Sequence, residues 1–533
     1  MKKEKQKQAF TGLLSLIFAV GSFSACGGGN ESSASGSDSM ISVTESPSSE
    51  SEPAESSVDE TVSPWTEEPE IIGEFFSDFG RDEVIGEGWS VVNYSWGQNG
   101  VARENAGFTR SPGVVNALGA TGGVIVLNSY GDYYHDPAKR GQGACLISNE
   151  LFGPGKYEVR MKIVPRFGPC STMWSYYTNS YAIDTPSGPV YGHNTAENIQ
   201  YHEIDVECPR IGRGFYGWGG VAYEEYYQDA ENLGTDGLGK VVNHSTSAKT
   251  EFDSPYNDGQ WHVFGFEWRT EGYDYDESAG ENPGAVIWYM DGKEVARTAK
   301  NTPYYPDQLW IGNWFPDNAT DWLGIADFDE AYMYIDWVRI TEYADEYRTT
   351  NKDGTPIQPE LGGCVIFSTS PGGNKDWGAN LPVNNYISNG AFAYGEEEEA
   401  TGWTLKNAKR MDDGLQIEGG SATQMISAQY GGYTFCLTAE GEILSGGGNA
   451  RVYVEYIRGE YPDNSNSNAR MTEKVIGRSE ALFFDSAGTI SSTLELTLPE
   501  ETNNIRLVLE ADDGTVSVIK SVSLYLQSDT EFL

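Results

Sequence analysis

The sequence predicts an all-β protein made of two consecutive β-sandwiches, and three observations carry that reading. The 533-residue chain holds 32 Tyr, 14 Trp and 63 Gly, a composition suited to pleated, half-buried surfaces joined by tight turns. Short alternating runs recur between Gly, Asn and Asp clusters, and no long helical periodicity interrupts them. The length exceeds one ordinary domain and suits two domains plus tails.

The first element is an export signal over residues 1–25. "MKKEKQKQAFTGLLSLIFAVGSFSAC" has a lysine-rich start, an apolar run and small residues before Cys26. The apolar run is shorter than the roughly 20 residues a membrane span needs. "FSAC" resembles a bacterial lipoprotein processing box, with Phe23 where that box usually has Leu, so Cys26 is the expected lipid anchor. An ordinary cleaved signal is the alternative. Residues 26–69, rich in Ser, Glu and Gly, have too few apolar side chains to build a core and read as a disordered tether. The location this implies is extracellular, on a bacterial cell surface, with no membrane contact beyond the lipid and with a monomeric chain.

A formal net charge of −44 argues against nucleic acid, whose binders displace counterions with basic stripes. It suits a protein acting on a neutral polymer. Five cysteines remain beyond Cys26, an odd number without zinc-site spacing; Cys364 with Cys436 is one plausible disulfide, and spacing leaves the connectivity open.

Residues 70–347 form the expected first domain. "WHVFGFEW" alternates cleanly, "AVIWYMDGKEVAR" carries the hairpin signal Asp291-Gly292, and "AYMYIDWVRITEY" closes the region as a strand. A polar linker, 348–360, leads to a smaller β-sandwich over 361–533, whose strands include "RVYVEYI" and "NIRLVLEA". Two motifs mislead. "GRGFYG" at 212–217 matches G-x-G-x-x-G, but it runs into "WGG" rather than a helix, which the dinucleotide fingerprint requires. The five histidines never form H-E-x-x-H, and no G-x-S-x-G is present.

The stretch "YHEIDVECPR" carries the chemistry. On a strand, Glu203, Asp205 and Glu207 share one face while Ile204, Val206 and Cys208 share the other. A solvated strand face also produces such a row, particularly in an acidic chain. Glu203 and Glu207 lie about 13 Å apart along an extended strand. Side chains leaning inward bring their carboxyls to about 5–7 Å, overlapping the roughly 5–5.5 Å of retaining glycosidases. Asp205 between them can hydrogen-bond to one neighbour and, as a like charge, keep the other protonated.

The flanks extend this row into a resemblance. "GPGKYEVRMKIVPRFGPCSTMWSYYT", "HEIDVE", "WHVFGFEW", "IWYMDGKEVARTA", "LWIGNWFPDNATDWLG" and "YMYIDWVRI" fall in the order seen in glycoside hydrolase family 16, and resemble its licheninase-like endo-β-glucanases. The resemblance implies a concanavalin-like jelly-roll β-sandwich and a β-glucan polysaccharide substrate. It implies Glu203 as nucleophile, Asp205 as assisting acid and Glu207 as general acid/base. No cofactor is implied for catalysis. Asp336 resembles the family's ligand to a structural calcium, or is a solvated strand end. Trp174 and Tyr176 share a strand face and, with Trp314, are expected substrate-binding residues, since sugar rings stack on aromatics; each is equally a core candidate. Insertions at 179–200 and 214–234 and "GNWFP" in place of the usual "NLW" leave laminarin, xyloglucan or galactan open as the glycan.

The segment 384–405 resembles the opening of jelly-roll carbohydrate-binding modules. Trp403, Tyr430, Tyr433, Tyr453 and Tyr456 either stack glycan there or fill the core. The rival to an enzyme is a non-catalytic surface glycan-binding protein, for which the acidic row would be dispensable.

Overall fold

The computed structural model describes residues 63–80, 88–93, 98–178, 182–185, 188–191, 200–208, 216–227, 241–251, 256, 258–300, 302–316, 324–347, 366–368, 375–426, 431–460, 472–485 and 490–532. The chain divides into two units, Met1–Thr66 and Glu67–Leu533. The expected export signal, Cys26, nearly all of the expected tether and the expected linker 348–360 lie outside the described residues. Among those described, no helix is long and apolar enough to cross a membrane.

The second unit begins with a jelly roll of two facing sheets. One runs in the order Lys293–Thr298, Ala285–Met290, His262–Arg269, Gly155–Lys162, Glu330–Tyr343, Val124–Tyr130, Ala106–Thr109. The other runs Val241–Glu251, Tyr216–Tyr227, Gln200–Cys208, Cys170–Thr178, Gln308–Trp314, Ala144–Ser148, Trp89–Val91. Alternation sends one row of each strand into a shared core. Met173, Ile204, Val206, Leu309 and Ile311 meet Val159, Met161, Phe264, Phe266 and Met333 there, all buried. Burying such side chains contributes about 1.5–3 kcal/mol each.

Local rules account for the connections. Asp291 (φ 51°) and Gly292 (φ 77°) form the expected two-residue hairpin turn between Ala285–Met290 and Lys293–Thr298. The short helix Pro112–Leu118 starts on proline and stops at Gly119 (φ 62°), whose N–H reaches back to the carbonyls of Val115 and Asn116. Its Val114 and Leu118 cover Val124, Val126, Tyr332 and Tyr334 on the outer side of the first sheet.

The second sandwich is one curled sheet in the order Thr472–Arg478, Ala450–Glu460, Asn504–Ala511, Gly414–Ile426, Val516–Leu526, Thr434–Ser445, Ile490–Thr497. Gly414–Ile426 pairs with Val516–Leu526 through residues 415–418 and with Asn504–Ala511 through 421–426. The change of partner falls at Gly419, whose φ of 55° suits glycine. This sheet starts later than residue 361, because Lys375–Asp376 pairs instead with Gly107 and Phe108 of the jelly roll. Trp403 fills the second core and donates its indole N–H to the Asn389 carbonyl at 3.3 Å. Tyr453 is buried, Tyr433 and Tyr456 pack against that core, and Tyr430 lies outside the described residues. Cys436 is a free thiol, and Cys364, its candidate disulfide partner, lies outside the described residues.

Polar contacts join the two sandwiches. Tyr433 donates its hydroxyl to Asp258 Oδ2 at 2.6 Å, Arg166 donates to the Tyr386 carbonyl at 2.9 Å, and the Asn389 amide donates to Asp329 at 3.0 Å. Asp258 also meets His262 Nε2 at 3.2 Å, and Asp291 Oδ2 lies 2.7 Å from His262 Nδ1. Burial opposes charge on His262, but the two carboxylates outweigh it and raise its pKa from 6.5 to about 9. A raised histidine contributes stability that is complete below the unfolded value and lost as pH climbs through the folded one. Thermal melting should therefore fall by about 2–4 °C between pH 6.5 and 9, and His262→Gln should flatten that part of the profile. An unchanged slope in the variant would count against the paired imidazolium.

Candidate functional site

The strand Gln200–Cys208 is not an edge. It pairs with Cys170–Thr178 on one side and with Tyr216–Tyr227, which includes much of the second insertion, on the other. Its register sets Glu203 opposite Tyr176, Asp205 opposite Trp174 and Glu207 opposite Thr172. One strand further, Gln308 stands opposite Tyr176, Trp310 opposite Trp174 and Gly312 opposite Thr172. Three parallel rows thus cross the sheet on the face turned away from the core. Ile204, Val206 and Cys208 are buried in the core beneath them.

The aromatic members of these rows pack on one another. Trp174 and Trp310 stack with centroids 5.3 Å apart at 24°, and Tyr176 meets Trp310 edge-on at 6.3 Å. Trp174 and Tyr176 are buried, so they wall the carboxylate row rather than offering open ring faces. Trp314, opposite Cys170, is half-buried and holds the end of the same face. Sequence reasoning missed Trp310 and Gln308. The alternation in "QLWIGNW" placed Trp310 and Trp314 on one face, but nothing local revealed that Trp310 would meet Trp174.

The electrostatics separate the three acids. Burial, then the charges of Glu203 and Glu207, then a hydrogen bond to Glu203 hold the Asp205 carboxyl well above the usual carboxylate range. Burial pushes Glu207 up to about 7. Glu203 itself is 3% exposed. Behind it, the Ser175 hydroxyl donates to Asp307 at 2.8 Å, and burial raises the Asp307 carboxyl despite that bond. The row therefore keeps a proton on Asp205 that can be donated to Glu203, and below about pH 7 a second one on Glu207. A carboxyl that accepts a hydrogen bond beside one poised to release a proton near neutral pH is suited to nucleophilic attack paired with general acid catalysis.

Asp336 lies elsewhere, at a register shift in Glu330–Tyr343. It is fully buried, accepts the Thr121 N–H at 2.7 Å and pairs with the Arg160 guanidinium. These surroundings do not fit a calcium ion, which needs several oxygen ligands with free lone pairs rather than a cation and N–H donors. Among the described residues, no group of three or more His, Cys, Asp or Glu is placed to hold a metal ion.

Fold and site together define a class: an all-β protein whose leading jelly roll carries a row of three acids flanked by aromatics. No protein-family model matches the chain. It is similar to a beta-glucanase of Acetivibrio thermocellus, 28% identical over 204 residues, 37% of this chain and 43% of that protein. It is also similar to a beta-glucanase of Paenibacillus macerans, 26% identical over 196 residues, 36% of this chain and 62% of the relative. The chain thus covers less than two thirds of the length of either. A solved Bacillus licheniformis beta-glucanase overlays 51% of this chain and 98% of its own, with 19% identity and a TM-score of 0.31. Within its class the chain is similar to bacterial beta-glucanases over about a third of its length.

The proton on Glu207 is directly observable. In protein labelled with ¹³C at the glutamate side-chain carboxyls, one resonance should titrate near pH 7 and vanish in Glu207→Gln. Titration of every glutamate below about pH 5 would contradict the assignment.

Proposed function

We propose that this chain is an endo-acting glycoside hydrolase that cleaves β-1,3-1,4-glucan or a related β-glucan with retention of configuration. The observation that carries the reading is the carboxylate row, with its acids separated by environment along a wall of Trp174, Tyr176 and Trp310. The similarity to beta-glucanases supports the substrate class.

In this mechanism Glu203 attacks the anomeric carbon as a carboxylate while protonated Glu207 gives its proton to the departing glycosidic oxygen. The C–O bond to the leaving sugar breaks as the bond to Glu203 forms. Glu207, now ionised, takes a proton from water, and the resulting hydroxide character at the anomeric carbon releases Glu203 and restores the proton on Glu207. Asp205 donates its hydrogen bond to Glu203, fixing which oxygen attacks and stabilising the carboxylate when it is expelled. Trp314, with exposed ring surface at the end of the row, serves as a sugar-stacking position. Export and a lipid on Cys26 complete the proposal, placing the enzyme at a cell surface where the polymer is met. The support for that part is the lysine-rich start, the short apolar run and the small residues before Cys26.

The test is reducing-end release by the full chain on barley mixed-linkage glucan, laminarin, xyloglucan, agarose and carrageenan. Glu203→Gln should lower the rate on the active polymer by at least about 10³-fold with melting unchanged. No release from any polymer, with binding retained by both proteins, would favour the glycan-binding rival.

A further inference from the structure

The proton that Glu207 gives up is governed by what stands around its carboxyl, and the sheet fixes those neighbours by register. Thr172 lies directly opposite Glu207 on Cys170–Thr178, and Gly312 lies opposite Thr172 one strand further. Cys170 is the diagonal neighbour of Glu207 on the same face, two residues from Thr172 and opposite Trp314. Directly opposite side chains have Cβ atoms about 4.5–5.5 Å apart, and diagonal ones lie within about 7–8 Å, a distance a long side chain spans. On its other side the acidic strand pairs with Tyr216–Tyr227 through Gln200 to Ile204.

None of these three positions offers Glu207 a strong hydrogen-bond donor. Thr172 is 2% exposed, and its hydroxyl donates to the Val206 carbonyl at 2.8 Å. Its β-branch restricts χ1 and holds the hydroxyl on that carbonyl. Gly312 cannot carry a side chain, because a Cβ would stand 2.5 Å from the Ala144 carbonyl oxygen and 2.8 Å from Cys145 Cα. Cys170 is fully buried yet lies outside the core cluster that holds Cys208, and its thiol reaches only the Ser171 carbonyl, at 3.9 Å. A thiol is a weak donor. Among the described residues, no side chain that donates to Glu207 offsets its burial. The described titratable groups around it are Asp205 and, beyond that, Glu203 on its own strand, and Cys170 across the sheet. Cys208 lies on the core side, and Gly312 and Trp314 bring no charge. Burial first and the Glu207 charge second hold the Cys170 thiol protonated, so the wall is neutral as well as poor in donors. A carboxylate that gains neither a cation nor a hydrogen bond keeps its proton to higher pH than an exposed one.

We propose that Cys170 and Thr172 are positioning residues of the reaction, which keep Glu207 the proton donor by denying its carboxylate a hydrogen bond. The proposal rests on the reading of Glu207 as general acid/base, but the wall against that carboxyl is measurable without substrate. Serine at either position would bring a hydroxyl free to turn toward Glu207, which the thiol and the β-branched side chain do not.

The experiment follows the Glu207 carboxyl in the full chain labelled with ¹³C at the glutamate side-chain carboxyls, alone and with Cys170→Ser, Thr172→Ser or Thr172→Val. A hydroxyl that reaches the carboxylate favours its charged form, so each serine variant should lower the titration midpoint by about one pH unit. Thr172→Val keeps the shape and adds no donor. It should lower the melting temperature, because the Val206 carbonyl loses its partner, and leave the midpoint in place. If one serine variant does not fold, the other decides. On a glycan that the chain cleaves, the alkaline limb of kcat should move down with the midpoint in the serine variants. A midpoint unmoved in the serine variants, or lowered by Thr172→Val, overturns the proposal. A midpoint that moves as expected in a chain that hydrolyses no glycan counts against the active-site reading and not against the wall.

Discussion

One register decides this molecule. The strand Gln200–Cys208 has acids at 203, 205 and 207 and apolar side chains at 204, 206 and 208, and only one pairing parity buries the second set. A slip of a single residue would drive three carboxyls into the core and put Ile204 and Val206 in water. The hydrophobic demand of the shared core therefore forces like charges into a row, and their mutual repulsion becomes a property of the site. The neighbouring strands inherit the parity, which is why Trp174, Tyr176, Trp310 and Trp314 share the acidic face.

The crowding has a chemical consequence. Three carboxylates this close cannot all ionise cheaply, and burial shifts the balance further toward protonated forms. Burial raises the Asp205 carboxyl first, with the charges of Glu203 and Glu207 adding to it, and burial pushes Glu207 up to about 7. The arrangement gives chemically similar groups different proton affinities.

Local features were legible in the sequence and nonlocal ones were not. Asp291-Gly292 forms the turn its dipeptide predicts, and the acidic alternation reads straight onto the sheet, because both depend on backbone geometry within a few residues. The helix Pro112–Leu118 passed unpredicted although Pro112 and Gly119 mark its ends; seven residues are too few for a clear period. Asp336 has the sequence context of a metal ligand, but its partner, Arg160, is 176 residues away. Lys375–Asp376, inside the span expected for the second sandwich, docks on the jelly roll because Gly107 leaves space for it. Aromatics were the hardest to apportion. Trp403 and Trp174 both read as stacking candidates, and only the packing around each shows that both are buried.

The two sandwiches meet through groups that would be costly to leave unpaired, including Asp258, His262 and Arg166, so the second sandwich is bonded to the jelly roll through buried polar groups. The central claim concerns the carboxylate row, and the most direct test of it is the anomeric configuration of the first product. Proton NMR during the opening minutes of hydrolysis of mixed-linkage glucan should show the β-anomer at the new reducing end, converting to the α-form only by later mutarotation. An α-anomer formed first would mean single displacement by water, and would contradict a glycosyl-enzyme on Glu203.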